Sequence, residues 1–233
     1  LGAKDDALDR LDARRALLTG ERRRLLAARA VMGQRVDALP DDVEARDLYA
    51  RVLVALRDHE EAERVIRRGL RSDEDGDGRL FLTLADLELR TGKRKQAALH
   101  ARAAWNRLRD SERPTVELLA AADLAIRLFG RTDDHAQAQA LARDLTRRLP
   151  IHAEAWKIAA RAHYAARDGD AARRAAEQAV ERAPDDPRAH ALLGQVLLRY
   201  GAKAKAKAAY QRAADLAVGT PDEAKIRDVL RRL

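Results

Sequence analysis

Small and large apolar residues return along this chain at a fixed interval. Alanines at Ala62, Ala97, Ala138, Ala172 and Ala206 are separated by 35, 41, 34 and 34 residues. Pro150 and Pro184 are 34 apart, Ala179 and Ala213 repeat that interval, and Trp156 falls in register with His190. A period in the thirties is the length of one helix-turn-helix unit. Such a unit buries its apolar face only against its neighbours, so units of this kind stack into a solenoid.

The same pattern predicts the elements. Residues 3–38 read as two helices broken at Leu18-Thr19-Gly20 and stopped before Pro40. Helix pairs follow at 43–56 and 59–71, at 79–91 and 94–108, and at 114–129 and 134–149. Two more pairs lie at 153–166 and 169–182, and at 187–200 and 203–217. Between the helices stand Arg57-Asp58, Thr91-Gly92-Lys93, Gly130 to Asp134, Asp168-Gly169 and Gly201, and glycine there suits a left-handed helix end. Thr220-Pro221-Asp222-Glu223 reads as a capping-box start for a last helix over 221–233. Six pairs and a capping helix make thirteen helices, an all-α chain.

Composition narrows the function classes. Apolar residues are 46% of the 233, charged residues 36% and aromatics 3%, which suits long exposed helices and not a β protein. Arginine outweighs lysine, as in a high-GC bacterial gene. The net charge is +8. Residues 1–77 hold 16 basic and 18 acidic side chains, so the basic excess lies beyond them. A basic balance suits nucleic acid, an anionic surface or an acidic protein. With no cysteine, disulfides and thiolate metal sites are excluded, and the compartment, cytoplasmic or periplasmic, stays open. No apolar run approaches the ~20 residues that span a bilayer, so a soluble protein is expected.

Little in the chain suggests chemistry. Ser72 and Ser111 are the only serines and neither sits in a nucleophile elbow. Six histidines (His59, His100, His135, His152, His163, His190) show no metal-ligand spacing, and no phosphate-binding glycine loop is present. Acidic pairs at Asp41-Asp42, Glu60-Glu61 and Asp185-Asp186 fall where they favour helix starts. An enzyme and a bound cofactor are therefore not expected. Asp73, Asp75 and Asp77, followed by Gly78, resemble the first half of an EF-hand calcium loop. Leu84 stands where that loop needs a bidentate glutamate, and an acidic inter-repeat loop is the simpler reading. Trp156, at the large repeat position, is expected in the core. Trp105 fits no core position cleanly, so exposure and partner contact are more plausible there. Lys203, Lys205 and Lys207 alternate with alanine, which spreads them around a helix.

The sixth pair resembles a tetratricopeptide repeat: Leu193-Gly194, Leu197, Gly201, Ala206, Tyr210 and Ala213 fall where that motif places large, small, large, turn, small, aromatic and small residues. The fifth pair matches through Trp156, Ala159-Ala160, Ala172, Ala179 and Pro184, and the second through Tyr49-Ala50, Leu53, Ala62, Ile66 and Gly69. The third matches through Phe81, Leu84-Ala85, Gly92, Ala97, Ala101 and Ala104. In the fourth, Leu145 stands where a small residue belongs, and the first keeps only Ala28 and Pro40. The resemblance implies a right-handed superhelical solenoid of antiparallel helix pairs. Residues 1–40 form a degenerate first pair and 43–220 the array, with units near 43–76, 78–111, 115–150, 153–186 and 187–220. Residues 221–233 form the capping helix.

In this family the first helix of each pair lines a concave groove in which ligand peptides lie. Carried over repeat by repeat, the groove positions are Arg51, Arg79, Asp86, Arg90, Arg127, Lys157, Arg161, Tyr164, Arg188, Gln195 and Arg199. Most are cationic, and arginine forks suit carboxylates. The resemblance thus implies a non-catalytic scaffold or adaptor that binds an acidic or carboxyl-terminal peptide, as assembly factors of bacterial machines do. Lys157 and Arg161 only partly echo the clamp that grips chaperone C-termini, since Asn106 is the sole asparagine. Nucleic-acid binding through the basic C-terminal half is an alternative, weakened by the scarcity of aromatics and asparagine that read bases. Self-association through the poorly matching residues 1–40 is another.

Overall fold

The computed structural model describes residues 3–72, 77–110, 115–131 and 134–233. Over these the chain forms thirteen helices: α1 (Ala3–Thr19), α2 (Arg22–Ala38), α3 (Val43–Ala55), α4 (His59–Ser72), α5 (Gly78–Arg90), α6 (Arg94–Leu108), α7 (Thr115–Arg131), α8 (His135–Arg148), α9 (Ala153–Ala165), α10 (Gly169–Arg182), α11 (Pro187–Arg199), α12 (Lys203–Leu216) and α13 (Glu223–Arg231). No strand occurs among the described residues. The chain divides into two compact units, residues 1–125 and 126–233, with the boundary inside α7.

Aspartate starts many of these helices. The carboxylates of Asp42, Asp77, Asp134, Asp168 and Asp186 each accept a backbone N–H in the first turn of α3, α5, α8, α10 and α11. A cap of this kind contributes about 1 kcal/mol. Helix ends are closed by left-handed residues: Gly20, Gly92, Gly201 and Gly219 have φ of 66°, 83°, 83° and 76°. Arg57 and Arg167 adopt φ of 65° and 60° at the corresponding turns, although their side chains disfavour it. Two glycines expected in turns lie elsewhere. Gly130 is in the last turn of α7, and Gly169 opens α10. A Cβ on Gly169 would stand 2.7 Å from the Tyr200 ring, so that glycine serves close packing and Arg167 makes the turn.

In each unit the recurring alanines let paired helices approach. Ala62, Ala97, Ala138, Ala172 and Ala206 are all buried. In the first unit, Ala13, Ala16, Leu25, Ala28, Met32, Leu48 and Val52 join α1, α2 and α3. Leu53, Ile66, Leu80, Leu84 and Leu87 join α3, α4 and α5. In the second unit, Tyr210, Ala213, Ala214 and Ala217 of α12 and its C-terminal end meet Ile226, Val229 and Leu230 of α13. The outer face of α13 differs. Where α11 has Leu193, Leu197 and Leu198, which pack against Ala206 and Ala209, the positions 34 later are Arg227, Arg231 and Arg232.

The start of α13 departs from the expected capping box. The Thr220 hydroxyl turns back to the Ala217 carbonyl at 2.7 Å, and the Glu223 carboxylate accepts the Gly219 N–H at 2.8 Å. The turn belongs to the end of α12, whose carbonyls the threonine serves.

Both tryptophans depart from the sequence reading. Trp105 is buried, 3% exposed, because Ala98, Ala101, Trp105 and Leu108 share one stripe of α6. Trp156 is only half-buried. Its indole N–H needs an acceptor and finds the Pro150 carbonyl at 2.9 Å in the loop before α9, while the Arg182 guanidinium lies 4.8 Å above the ring. This is one instance of a recurring device. His190 Nε2 donates to the Pro184 carbonyl at 2.8 Å, and the Arg46 guanidinium donates to the Pro40 carbonyl. Each donor lies six residues after its proline and four before Ala50, Ala160 or Gly194. The position selects an N–H that reaches back over the turn.

Gly194 shows how tight the pairing is. A Cβ there would lie 2.7 Å from Cδ2 and 3.0 Å from Cγ of the buried Tyr210 ring. Gly194→Ala is therefore expected to lower stability by about 1–2 kcal/mol in urea denaturation, the cost of overpacking exceeding alanine's helix preference.

Candidate functional site

The first helices of successive pairs lie against one another within each unit: α3 touches α1 and α5, and α9 touches α11. The residues expected to line a groove sit on these helices, but most do not stand there as bare charges.

In the first unit, Arg51 is half-exposed on α3 and its guanidinium lies 3.6 Å from Asp47. Asp86 and Arg90 pair with each other at 2.7 Å on the surface of α5. Arg79 begins α5, where its backbone N–H caps on Asp77 at 2.7 Å. Asp47 is the unexpected member. It is 5% exposed, and its carboxylate accepts the Thr83 hydroxyl of α5 at 2.6 Å. Burial pushes its pKa up to about 6, against the lowering effect of the Thr83 hydrogen bond and the Arg51 charge.

In the second unit, Arg127 is exposed on α7 and Gln195 on α11. Lys157 is buried on α9 between two carboxylates, Glu154 at 2.6 Å and Asp186 at 2.7 Å. Burial works against its charge, but the hydrogen bonds to Asp186 and Glu154 outweigh it and hold the ammonium above the ordinary lysine value. Burial likewise opposes the Asp186 charge. Lys157 and the N–H groups of Arg188 and Ala189 nevertheless bring that carboxyl below its usual range. Arg161 lies 3.5 Å from Glu154, and Arg188 reaches Asp222 at 2.6 Å.

Arg199 differs from all of these. Among the described residues no carboxylate lies against it. Its guanidinium is held 4.7 Å over the Tyr164 ring, with Nη1 3.4 Å from the Tyr164 hydroxyl. Stacking on an aromatic face fixes an arginine without neutralising it. The unit around it carries 21 basic and 14 acidic side chains, a net of +7.

The neutralising acids Asp47, Glu154, Asp186 and Asp222 were not read from the sequence as partners. Spacing carried part of the signal: Asp47 precedes Arg51 by four residues and Glu154 precedes Lys157 by three, about one helical turn, and Asp222 follows Arg188 by 34, one full period. The burial of Asp47 had no signal, since it stands three before Ala50 as Lys157 stands three before Ala160, with opposite charge.

The remaining candidates carry less. Asp77 is spent capping α5, and Asp73 and Asp75 lie outside the described residues, as does Ser111. No group of three histidine, aspartate or glutamate side chains among the described residues is placed to hold a metal ion. His100 bonds the buried Glu88 at 2.7 Å and stacks on Phe81. No helix among the described residues is long and apolar enough to cross a membrane. On α1, Leu8, Leu11 and Leu18 are exposed.

Residues 131–196 match the model of a tetratricopeptide-repeat family. Among solved structures, the chain is similar to PilF of Pseudomonas aeruginosa at 15% identity and a TM-score of 0.62, covering 94% of this chain and 98% of that one. It is similar to YrrB, described as a TPR protein with an unusual peptide-binding site, at 12% identity and a TM-score of 0.60, covering 87% and 98%. MamA of Desulfovibrio magneticus RS-1 gives 15% identity, a TM-score of 0.60, and 78% and 98% coverage. No curated protein matches.

Proposed function

We propose that this chain, a tetratricopeptide-repeat protein, is a non-catalytic scaffold that takes an acidic or carboxyl-terminal segment of a partner protein on its first helices. The observation that carries the reading is Arg199. It is exposed, preorganised by the Tyr164 ring and unopposed by any carboxylate. A partner carboxylate binding there displaces no internal ion pair, whereas at Lys157 or Arg188 it competes with Asp186, Glu154 or Asp222. The +7 charge of residues 126–233 draws acidic segments to this face. Arg161 and Gln195 add donors on the same helices, and Lys157 acts from within as the brace that fixes α9 to the start of α11.

The test is a labelled acidic peptide with a free C-terminal carboxylate, titrated by fluorescence anisotropy. Arg199→Ala is expected to weaken binding about tenfold, the loss of one anchoring cation, with helical circular dichroism unchanged. Equal affinity in parent and variant removes Arg199 from the site and refutes the reading.

A further inference from the structure

We infer that the α3–α5 face of the first unit is a second anion-binding surface whose ligand enters together with a proton taken up by Asp47. This rests on the reading of the first helices as the partner-binding face and deepens it.

Two guanidinium groups act on one buried carboxylate. Arg51 lies 3.6 Å from Asp47, and Arg79 is close enough to stabilise its charge. Arg51 keeps half its side chain in solvent, and Arg79 has no carboxylate partner among the described side chains. An incoming anion therefore meets Arg51, occupied by a carboxylate that is itself poorly solvated, while Arg79 adds positive charge from the start of α5. When the anion draws Arg51 away, Asp47 loses its nearest cation and keeps the Thr83 hydroxyl and the weaker influence of Arg79. A buried carboxylate in that position takes a proton. Its environment already favours the neutral form, since burial pushes it up to about 6. Ligand and proton uptake are then coupled, and by reciprocity acid favours the ligand.

The charged groups around Asp47 come from α3 and from the four helices packed on it; on α4, Arg68 lies near enough to Arg46 to oppose its charge. From α3 itself comes Arg51. From the start of α5 come Arg79 and Asp77, the latter raising the Asp47 pKa and engaged on the Arg79 N–H. Of the cations on α1 and α2, Arg10, Arg14 and Arg35 are taken by Asp42 and Glu44 at the N-terminal end of α3 and by Asp6 of α1, and Arg29 by Asp58 just beyond the C-terminal end of α3. Beside Asp47, Arg46 turns to the Pro40 carbonyl and packs on Gly69 of α4. Arg51 is the cation whose release changes Asp47 most.

The experiment uses a labelled peptide bearing three cysteic acid residues, whose sulfonates keep their charge between pH 5.5 and pH 8. Arg199→Ala serves as the background, so that the α3–α5 face is read by itself. Affinity is expected to rise about fivefold to tenfold from pH 8 to pH 5.5, since one unit of pKa change is a tenfold change in affinity. Adding Asp47→Asn is expected to abolish that rise and leave binding tight at both pH values, while adding Arg51→Ala weakens it at both. Asp47 is also titrated in the free protein by carboxyl carbon NMR. A midpoint near 4, or an acid-induced rise that persists with asparagine at 47, overturns the coupling. Absence of binding to the unsubstituted protein at every pH refutes the anion-binding reading of the first helices. A response to Arg199→Ala in that protein with none to Arg51→Ala confines binding to the second unit and overturns only this inference.

Discussion

Asp47→Asn is expected to make the folded protein more stable at pH 8, by about 2 kcal/mol. Most charged-to-neutral substitutions at bonded carboxylates act the other way, and the sign here follows from burial. The Asp47 carboxyl is pushed up to about 6 in the fold, against about 4 in an unfolded chain. Above pH 6 both states are ionised and the folded state bears the cost of a desolvated charge. As pH falls from 6 toward 4 the folded state alone binds the proton, so this group contributes stability in acid and withdraws it in alkali. Two pKa units amount to about 3 kcal/mol. The amide keeps an acceptor for the Thr83 hydroxyl but leaves an N–H to satisfy, which brings the expected gain down to about 2.

Urea denaturation of parent and variant at several pH values isolates this effect. Other carboxyls move the opposite way: Asp186, lowered in the fold, contributes stability that is lost as pH falls through its folded pKa. The difference between the two proteins cancels those contributions. It is expected to shrink and then reverse between pH 8 and pH 4. A difference that stays flat means that Asp47 titrates as an ordinary surface carboxyl.

Arg35→Ala is expected to cost about 3 kcal/mol and to loosen α1 and α2 first. Arg35 is 7% exposed and bonds Asp6 at 2.5 Å and Asp42 at 3.3 Å. Arg10 adds Asp6 at 2.8 Å, Asp42 at 2.8 Å and Glu44 at 2.5 Å. These contacts tie α1 and α2 to the start of α3, where Asp42 also caps the helix. Removing the more buried of these two cations strands the carboxylates turned toward it, and breaking a buried pair from one side is costly. Native-state hydrogen exchange is expected to show faster exchange in α1 and α2 with α9 to α12 unaffected. Arg35→Lys, which keeps the charge but not the fork, is expected to recover part of the loss. Unchanged exchange in α1 and α2 means that the apolar contacts of Met32, Leu25 and Ala28 hold the pair without the ionic network.

That network explains why the first pair is hard to recognise as a repeat. Its join to the next pair is made by arginines and acids 7, 30, 32 and 34 residues apart, and a single repeat period does not select them all. Leu145 illustrates the converse. It breaks the small-residue pattern in the fourth pair, yet it is fully buried on α8. A large side chain is accepted where the facing helices leave room for it.

The helices themselves were legible from the chain alone, because their causes are local. Apolar spacing, aspartate at the starts, and glycine or proline at the breaks act within one turn of the residues that carry them. All thirteen helices lie within two residues of their expected limits, and the recurrence of Ala62, Ala97, Ala138, Ala172 and Ala206 implied how they pair. The state of the charges was local only in part, as at Arg51–Asp47 and Asp86–Arg90, which pair within one turn. Whether a cation on a first helix is a ligand anchor or an internal brace depends on which carboxylate the next helix brings up. Lys157 became a buried brace because Asp186 starts α11 beside it, and Arg199 stayed available because Tyr164, not an acid, lies across from it. Trp105 became buried and Trp156 only half-buried for the same reason: burial is settled by what packs opposite, and an N–H by the acceptor within reach. Sequence periodicity determined where the backbone goes, while pairing between neighbouring helices, across 29, 34 and 35 residues at Lys157, Arg188 and Arg199, decided which side chains remain for a partner.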